Sequence, residues 1–294
     1  MICLQRIDDR SFEIYHAVYT ADNLFLHYDW NQMLENYAPH GNGYLLLKDD
    51  IPIGGAVICA GKITSPYLIP PFDDPAEFMK QLLQLVSNDC SRIELAYIPE
   101  VFETALRESG ACKTRSKCQM IRPTGVCQFE LPDVFYFDTV KLSEKKEMVE
   151  VIFQAHQSGY TASVEGPLDP GCVEEVLQQR LDIFSSNHTL DMGVVVKEWR
   201  TNQIVGVCIA GKYPDVPNDF STIHQLAVHP SFQRRGIATA MIRQVLDTAH
   251  KCSPVILLGV LHGNPAETLY HKLGFRRGPV YSDYQFDQKR GQDI

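Results

Sequence analysis

Ile223 to Thr239 reads IHQLAVHPSFQRRGIAT, and this stretch decides the fold. An apolar run closes at Val228-His229-Pro230, a polar turn follows, and Ile237, Met241, Val245 and Ala249 then recur every fourth residue. A strand therefore leads into a glycine turn and an amphipathic helix. Plain alternation along the strand puts Thr222, His224, Leu226 and Val228 on one face, and Ile223, Gln225 and Ala227 on the other. The helix start carries no carboxylate until Asp247, but it does carry Arg234 and Arg235. A helix N-terminus has partial positive charge and four unpaired N–H groups, so arginines there make sense when an anion binds. Gly236 lets the backbone approach closely and Ala238 keeps the first turn uncrowded, leaving amides free to wrap a pyrophosphate. The alternative is a solvated loop that uses its glycine only to turn.

Downstream, Val255 to Val260 reads as the next strand, followed by NPAETLYHKLGF from Asn264 to Phe275. Asn264 precedes Pro265 and stands three residues before Glu267, an N-cap in a capping-box arrangement. Tyr270 is either an aromatic packed beside Leu269 and Leu273 or a functional hydroxyl. Together, Gln233-Arg234-Arg235-Gly236-Ile237-Ala238 and the Asn264 to Phe275 segment resemble the two acetyl-CoA motifs of the GNAT superfamily of N-acetyltransferases. The resemblance covers roughly Phe137 to Phe286.

It implies an acetyl-CoA co-substrate held by Gln233, Arg234, Arg235, Gly236, Ile237, Ala238, Thr239 and Asn264, with main-chain contacts from Leu226, Ala227 and Val228. It also implies Tyr270 as proton donor to the departing thiolate. A primary amine is mostly protonated at neutral pH, so a base or a water held by one must deprotonate it. His224 is the candidate, because IHQLAVHP resembles the corresponding strand of serotonin N-acetyltransferase. A strand histidine bonded within the core is the competing reading. His229 reads as a strand-end residue. The acceptor site implied by the family is the loop Ser158 to Pro170 with the segment from Arg276 to Tyr284. There Tyr160 and Glu165 are candidates for holding a cationic amine, while Tyr281 and Tyr284 either line a pocket or pack.

Further out, Tyr44 to Lys62 (YLLLKDDIPIGGAVICAGK) and Val194 to Lys212 (VVVKEWRTNQIVGVCIAGK) form a weak internal repeat. Each has the pattern of an antiparallel hairpin followed by strand, helix, strand and helix, and the closing helices end at Gly110 and Gly274. The expected architecture is α/β (α+β), two tandem GNAT-like domains, each a mixed, mostly antiparallel twisted sheet flanked by helices. Pro and Gly punctuation near Thr124 to Pro132 places the boundary at 130/131. The N-terminal counterpart of the anion loop, Ile69 to Pro75 (IPPFDDP), has no glycine, no arginine and two carboxylates. Residues 1–130 therefore read as a degenerate domain and 131–294 as the catalytic one.

The 294 residues are 45% hydrophobic and 21% charged, which excludes disordered, collagen-like and coiled-coil classes. Lys and Arg number 27 against 36 for Asp and Glu, so no basic excess exists for a phosphate backbone, and nucleic acid is not expected as a partner. Nine cysteines include no C-x-x-C pair, which argues against a clustered metal site and for reduced thiols. Asp8 and Asp9 interrupt any signal-like run, and no stretch approaches the ~18 apolar residues of a membrane span, so a cytoplasmic, membrane-free protein is expected. The expected function is an N-acetyltransferase attacking acetyl-CoA directly with an amine in a ternary complex. An acyltransferase for a longer acyl-CoA or for an amino-acid acceptor, a non-catalytic CoA-binding sensor and a module with no CoA site are the alternatives, and both monomer and homodimer stay open.

Overall fold

The computed structural model describes residues 2–9, 11–12, 42–87, 90, 92–128, 130–157, 159–213 and 220–287. The chain divides into two compact units. One comprises 1–118 together with 278–294, and the other 119–277. The Pro and Gly punctuation of the sequence places the cut at 130/131, with the final strand in the second half. Instead the chain changes unit twice, within β6 (Cys112–Pro123) and within β12 (Arg276–Asp287).

Unit 2 is built on β7 (Phe135–Thr139), β8 (Val194–Glu198), β9 (Ile204–Gly211), β10 (Phe220–Val228) and β11 (Val255–Leu261). Sheet order runs from the second half of β6 through β11, β10, β9 and β8 to β7. Neighbours β7 to β10 pair antiparallel, and β10 pairs parallel with β11. Val205, Val207, Cys208 and Ile209 of β9 are all fully buried, because both faces of this strand are covered. One face packs on helices Lys145–His156 (α3) and Pro170–Ser186 (α5) through Val151, Leu177, Leu181 and Phe184. The other takes helix Ile237–Ala249 (α6), whose Ile237, Met241, Val245 and Ala249 are buried as their spacing requires.

Unit 1 repeats the plan with β1 (Ile2–Arg6), β2 (Gly43–Lys48), β3 (Ile51–Cys59), β4 (Lys62–Leu68) and β5 (Arg92–Pro99). Strands β1 to β4 are antiparallel, and β4 and β5 are parallel across helix Pro75–Ser87 (α1). The β2–β3 turn is made by Asp49 and Asp50, both left-handed, the geometry a two-residue hairpin needs. Helix Glu103–Glu108 (α2) closes on Gly110 at φ +86°, with Ala111 N–H donating to Leu106 and Gly110 N–H to Arg107. Beyond β5 the sheet continues with β12, registered from Tyr281↔Pro99 to Asp287↔Arg92. Ser116 of β6 lies 2.7 Å from Ser282 on its far side. Phe78, Leu82, Ile93, Phe102 and Tyr284 form the core, so Tyr284 is a packing residue. Among the described residues no helix is long and apolar enough to cross a membrane, and all nine cysteines are free.

Candidate active site

Strand β10 holds the parallel pairing with β11 only from Phe220↔Val255 to Ile223↔Leu258. Its antiparallel pairing with β9 continues to Val228↔Gly206, with a register shift between Ile223 and Gln225. From His224 onward the β11-side edge is therefore free of that ladder, and Leu226 to Val228 lie along an opened seam. The shift makes His224 a bulge residue and breaks plain alternation. Pairing puts Ile223, Leu226 and Val228 on the α6 side, and Thr222, Gln225 and Ala227 on the side of α3 and α5. His224 joins the second group, since it meets Arg180 of α5. This corrects the expectation that His224 shares a face with Leu226 and Val228.

Past Val228 the chain makes a short 3-10 turn, Pro230–Phe232, with Ser231 N–H donating to His229 Nδ1. Arg234 then takes φ +64° and Gly236 φ +82°. Gly236 is the N-cap of α6, no side chain caps that helix, and its first turn holds no acid. A Cβ at Gly236 would meet nothing within 4 Å, so the glycine faces open space. Left-handed residues at 234 and 236, with Arg235 between them, turn backbone N–H groups into a concave cradle, which suits an anion at a helix start. Gln233 is engaged otherwise, its Nε2 donating to Val228 O at 3.0 Å. Arg235 stacks on Phe232 (5.2 Å) and donates to Ser231 O at 3.2 Å, while Arg234 is exposed. Ala238 and Thr239 sit half-buried on the first turn.

Helix Ala266–Lys272 (α7) follows β11. Asn264 Oδ1 accepts from Ala266 N–H at 2.9 Å, the expected capping role. The return bond of the capping box is displaced by one residue, because Glu267 Oε1 accepts from Gly263 N–H and not from Asn264. Tyr270 is buried, its ring edge-on to Phe275 at 6.0 Å. Burial, followed by the neighbouring Cys208, holds its phenol well above the ordinary range, and the Cys208 thiol is itself pushed up to about 12 by burial. Tyr270 thus carries its proton throughout the neutral range.

On the opposite face, Arg180 Nε donates to His224 Nε2 at 3.0 Å. Burial, then the Arg180 charge, lowers His224 to about 4. His224 is consequently neutral, and the lone pair expected to take a proton from the amine is engaged. Beside it the Gln225 amide donates to His156 Nε2 at 2.8 Å, and burial lowers His156 also, opposed by the charge of Glu165. The segment read as a loop contains a one-turn helix, Tyr160–Glu165 (α4), set between Gly159 and Gly166; Ser158 lies outside the described residues. Tyr160 Oη donates to His262 O at 2.8 Å, which ties α4 to the end of β11, and Glu165 is exposed. Tyr281 lies in unit 1, as does Tyr284.

Residues 154–275 match the family model described as Acetyltransferase (GNAT) family. This segment is similar to GNAT-family acetyltransferases. That family uses acetyl-CoA, and the matched GNAT segment falls wholly within unit 2. A GCN5-related N-acetyltransferase from Sphaerobacter thermophilus has the same fold over 100% of this chain and 98% of its own, with TM-score 0.68 and 15% identity. A tandem GNAT protein from the clavulanic acid biosynthesis pathway superposes over 99% and 100% of the two chains, with TM-score 0.55 and 8% identity. Among curated proteins, mouse Cysteine-rich protein 2-binding protein is 38% identical over 71 residues, which is 24% of this chain and only 9% of that relative.

Four residues around His224 carry no signal in the sequence that ties them to it. Arg180 and His156 sit on helices whose pattern shows only that they are polar, and Tyr213 follows β9 with no motif around it. Gln225 keeps the face of Ala227, but its bond to His156 carries no sequence signal, and it is His224 that changes face, because a bulge leaves no mark on an alternating string.

Proposed function

We propose that the GNAT domain transfers the acetyl group of acetyl-CoA to a primary amine by direct attack in a ternary complex, with one active site per chain. The observation that carries this reading is the uncapped left-handed turn Gln233–Gly236, placed where the open seam of β10 ends. The turn and the first amides of α6 would hold the pyrophosphate, and the free edge at Leu226 to Val228 would take the pantetheine arm and polarise the thioester carbonyl. The amine nitrogen attacks that carbonyl carbon, the C–S bond breaks, and Tyr270 Oη gives its proton to the leaving thiolate. With the His224 lone pair engaged by Arg180, the proton lost by the amine goes to water in the seam, and water restores Tyr270.

In unit 1 the corresponding helix start is closed. Asp74 Oδ1 accepts from Glu77 N–H at 2.9 Å, and Glu77 adds a second carboxylate in the first turn of α1. This supports reading unit 1 as a GNAT-like unit that does not bind acetyl-CoA.

Calorimetric titration of acetyl-CoA tests both statements. One mole is expected to bind per chain and to be lost in Gly236→Glu. Two moles per chain would overturn the single site, and none would overturn acyl transfer. Tyr270→Phe separates an enzyme from a sensor, since only an enzyme loses turnover while keeping its affinity for acetyl-CoA.

A further inference from the structure

We propose that the acceptor amine carries a carboxylate and that Arg180 binds it. This rests on the acetyltransferase reading and names the substrate class. Arg180 is half-buried on α5, in the last third of the helix. Its guanidinium lies 5.5 Å from the Tyr213 ring centroid, and Nε donates to neutral His224. Among the described residues no carboxylate lies within 4.0 Å of it. The buried cation of unit 2 is treated differently: Lys197 Nζ meets Asp138 at 2.8 Å and Glu144 at 2.7 Å. A guanidinium has five donors, and only Nε is used on His224, so the four remaining N–H groups of this half-buried Arg180 are available to an anion.

The place of this charge gives it a substrate. His224 is the bulge residue, the first position of β10 past its pairing with β11, so Arg180 sits one hydrogen bond from the point where the sheet opens. Tyr213 lies against it, and Gln225, the residue after His224, bonds the His156 ring. A carboxylate matches the planar fork of arginine through two parallel bonds, and stacking on Tyr213 fixes the plane in which they form. An amino acid or another amine with a carboxylate nearby would be anchored by its acid and present its nitrogen to the thioester. The chain's excess of Asp and Glu over Lys and Arg favours a cationic acceptor at long range, and this local positive charge acts in the opposite sense.

The test compares wild type, Arg180→Gln and Arg180→Lys by CoA thiol release. The acceptors are the common L-amino acids, each beside its α-amide and its decarboxylated amine. Wild type is expected to favour the acids by about tenfold or more in kcat/KM. Arg180→Gln, whose amide still donates to His224, should lose that preference through KM while use of the amides stays within a few-fold. A residue that only supports the fold would change acids and amides alike. Equal use of acid and amide by wild type, equal losses in the variants, or failure of every carboxylate-bearing amine while acetyl-CoA binds one to one would overturn the proposal. Absence of acetyl-CoA binding would instead overturn the reading beneath it.

Discussion

Burial acts on His224 and Tyr270 in opposite senses of proton affinity and leaves both uncharged. In His224 it drives the proton off, helped by Arg180; in Tyr270 it holds the proton on, helped by Cys208. Tyr270→Phe is expected to lower kcat by about 100-fold or more, as removal of a general acid does, with acetyl-CoA affinity unchanged in the same calorimetric cell. His224→Gln, which keeps an acceptor for Arg180, should stay within about tenfold of wild type. Loss comparable to that of Tyr270→Phe would restore His224 as the base. Between about pH 4 and pH 6.5 the unfolded chain binds a proton at His224 that the folded chain refuses. Stability therefore rises with pH through that window and is lost as the pH falls through it; His156 adds in the same direction. Unfolding free energies from urea titration at pH 7.5 and pH 5 should differ by on the order of 1–2 kcal/mol more in wild type than in His224→Gln. The place of Tyr270 on α7, packed beside Phe275, is legible because that segment is a local string. The environment of His224 was not, because it is set by a bulge and by a helix 44 positions upstream.

At the scale of elements, two helix starts that occupy corresponding places behave as opposites. In α1, Asp74 supplies the missing acceptor, and Asp74→Ala should cost about 1 kcal/mol by thermal melting, with no effect on acetyl-CoA binding. In α6, Gly236 supplies only a left-handed backbone. A Cβ there meets no neighbour, so the cost of Gly236→Ala is conformational, about 1 kcal/mol. Acetyl-CoA should raise the melting temperature of wild type and of Asp74→Ala, and raise that of Gly236→Ala less. Both helices were readable from apolar spacing, and their contrasting ends from IPPFDDP against QRRGIA, because caps and periods are written in consecutive residues. The capping box at Asn264 was readable only to within one residue, since Gly263 N–H competes for the Glu267 carboxylate.

For the molecule as a whole, the tandem repeat was visible in two hairpins 150 positions apart, and the two units keep its order. The exchange of β12 was not visible. A strand's pattern reports which face is buried and says nothing of which neighbour it pairs with. A fragment cut at 130/131 leaves β5 without the partner that runs from Tyr281↔Pro99 to Asp287↔Arg92. Hydrogen exchange should find amides of Arg92–Pro99 protected in the full chain and exchanging much faster in residues 1–130. Equal protection would show that β5 does not need β12.

The same exchange imposes an order in time. During synthesis β5 emerges early, but residues 278–287 follow only after all 159 residues of 119–277 have been made. At about 5–20 residues per second, the first half of the polypeptide waits roughly 10–30 s with an unpaired sheet edge. The half translated first is thus the half completed last, and its yield in a cell depends on what shields that edge while the ribosome finishes.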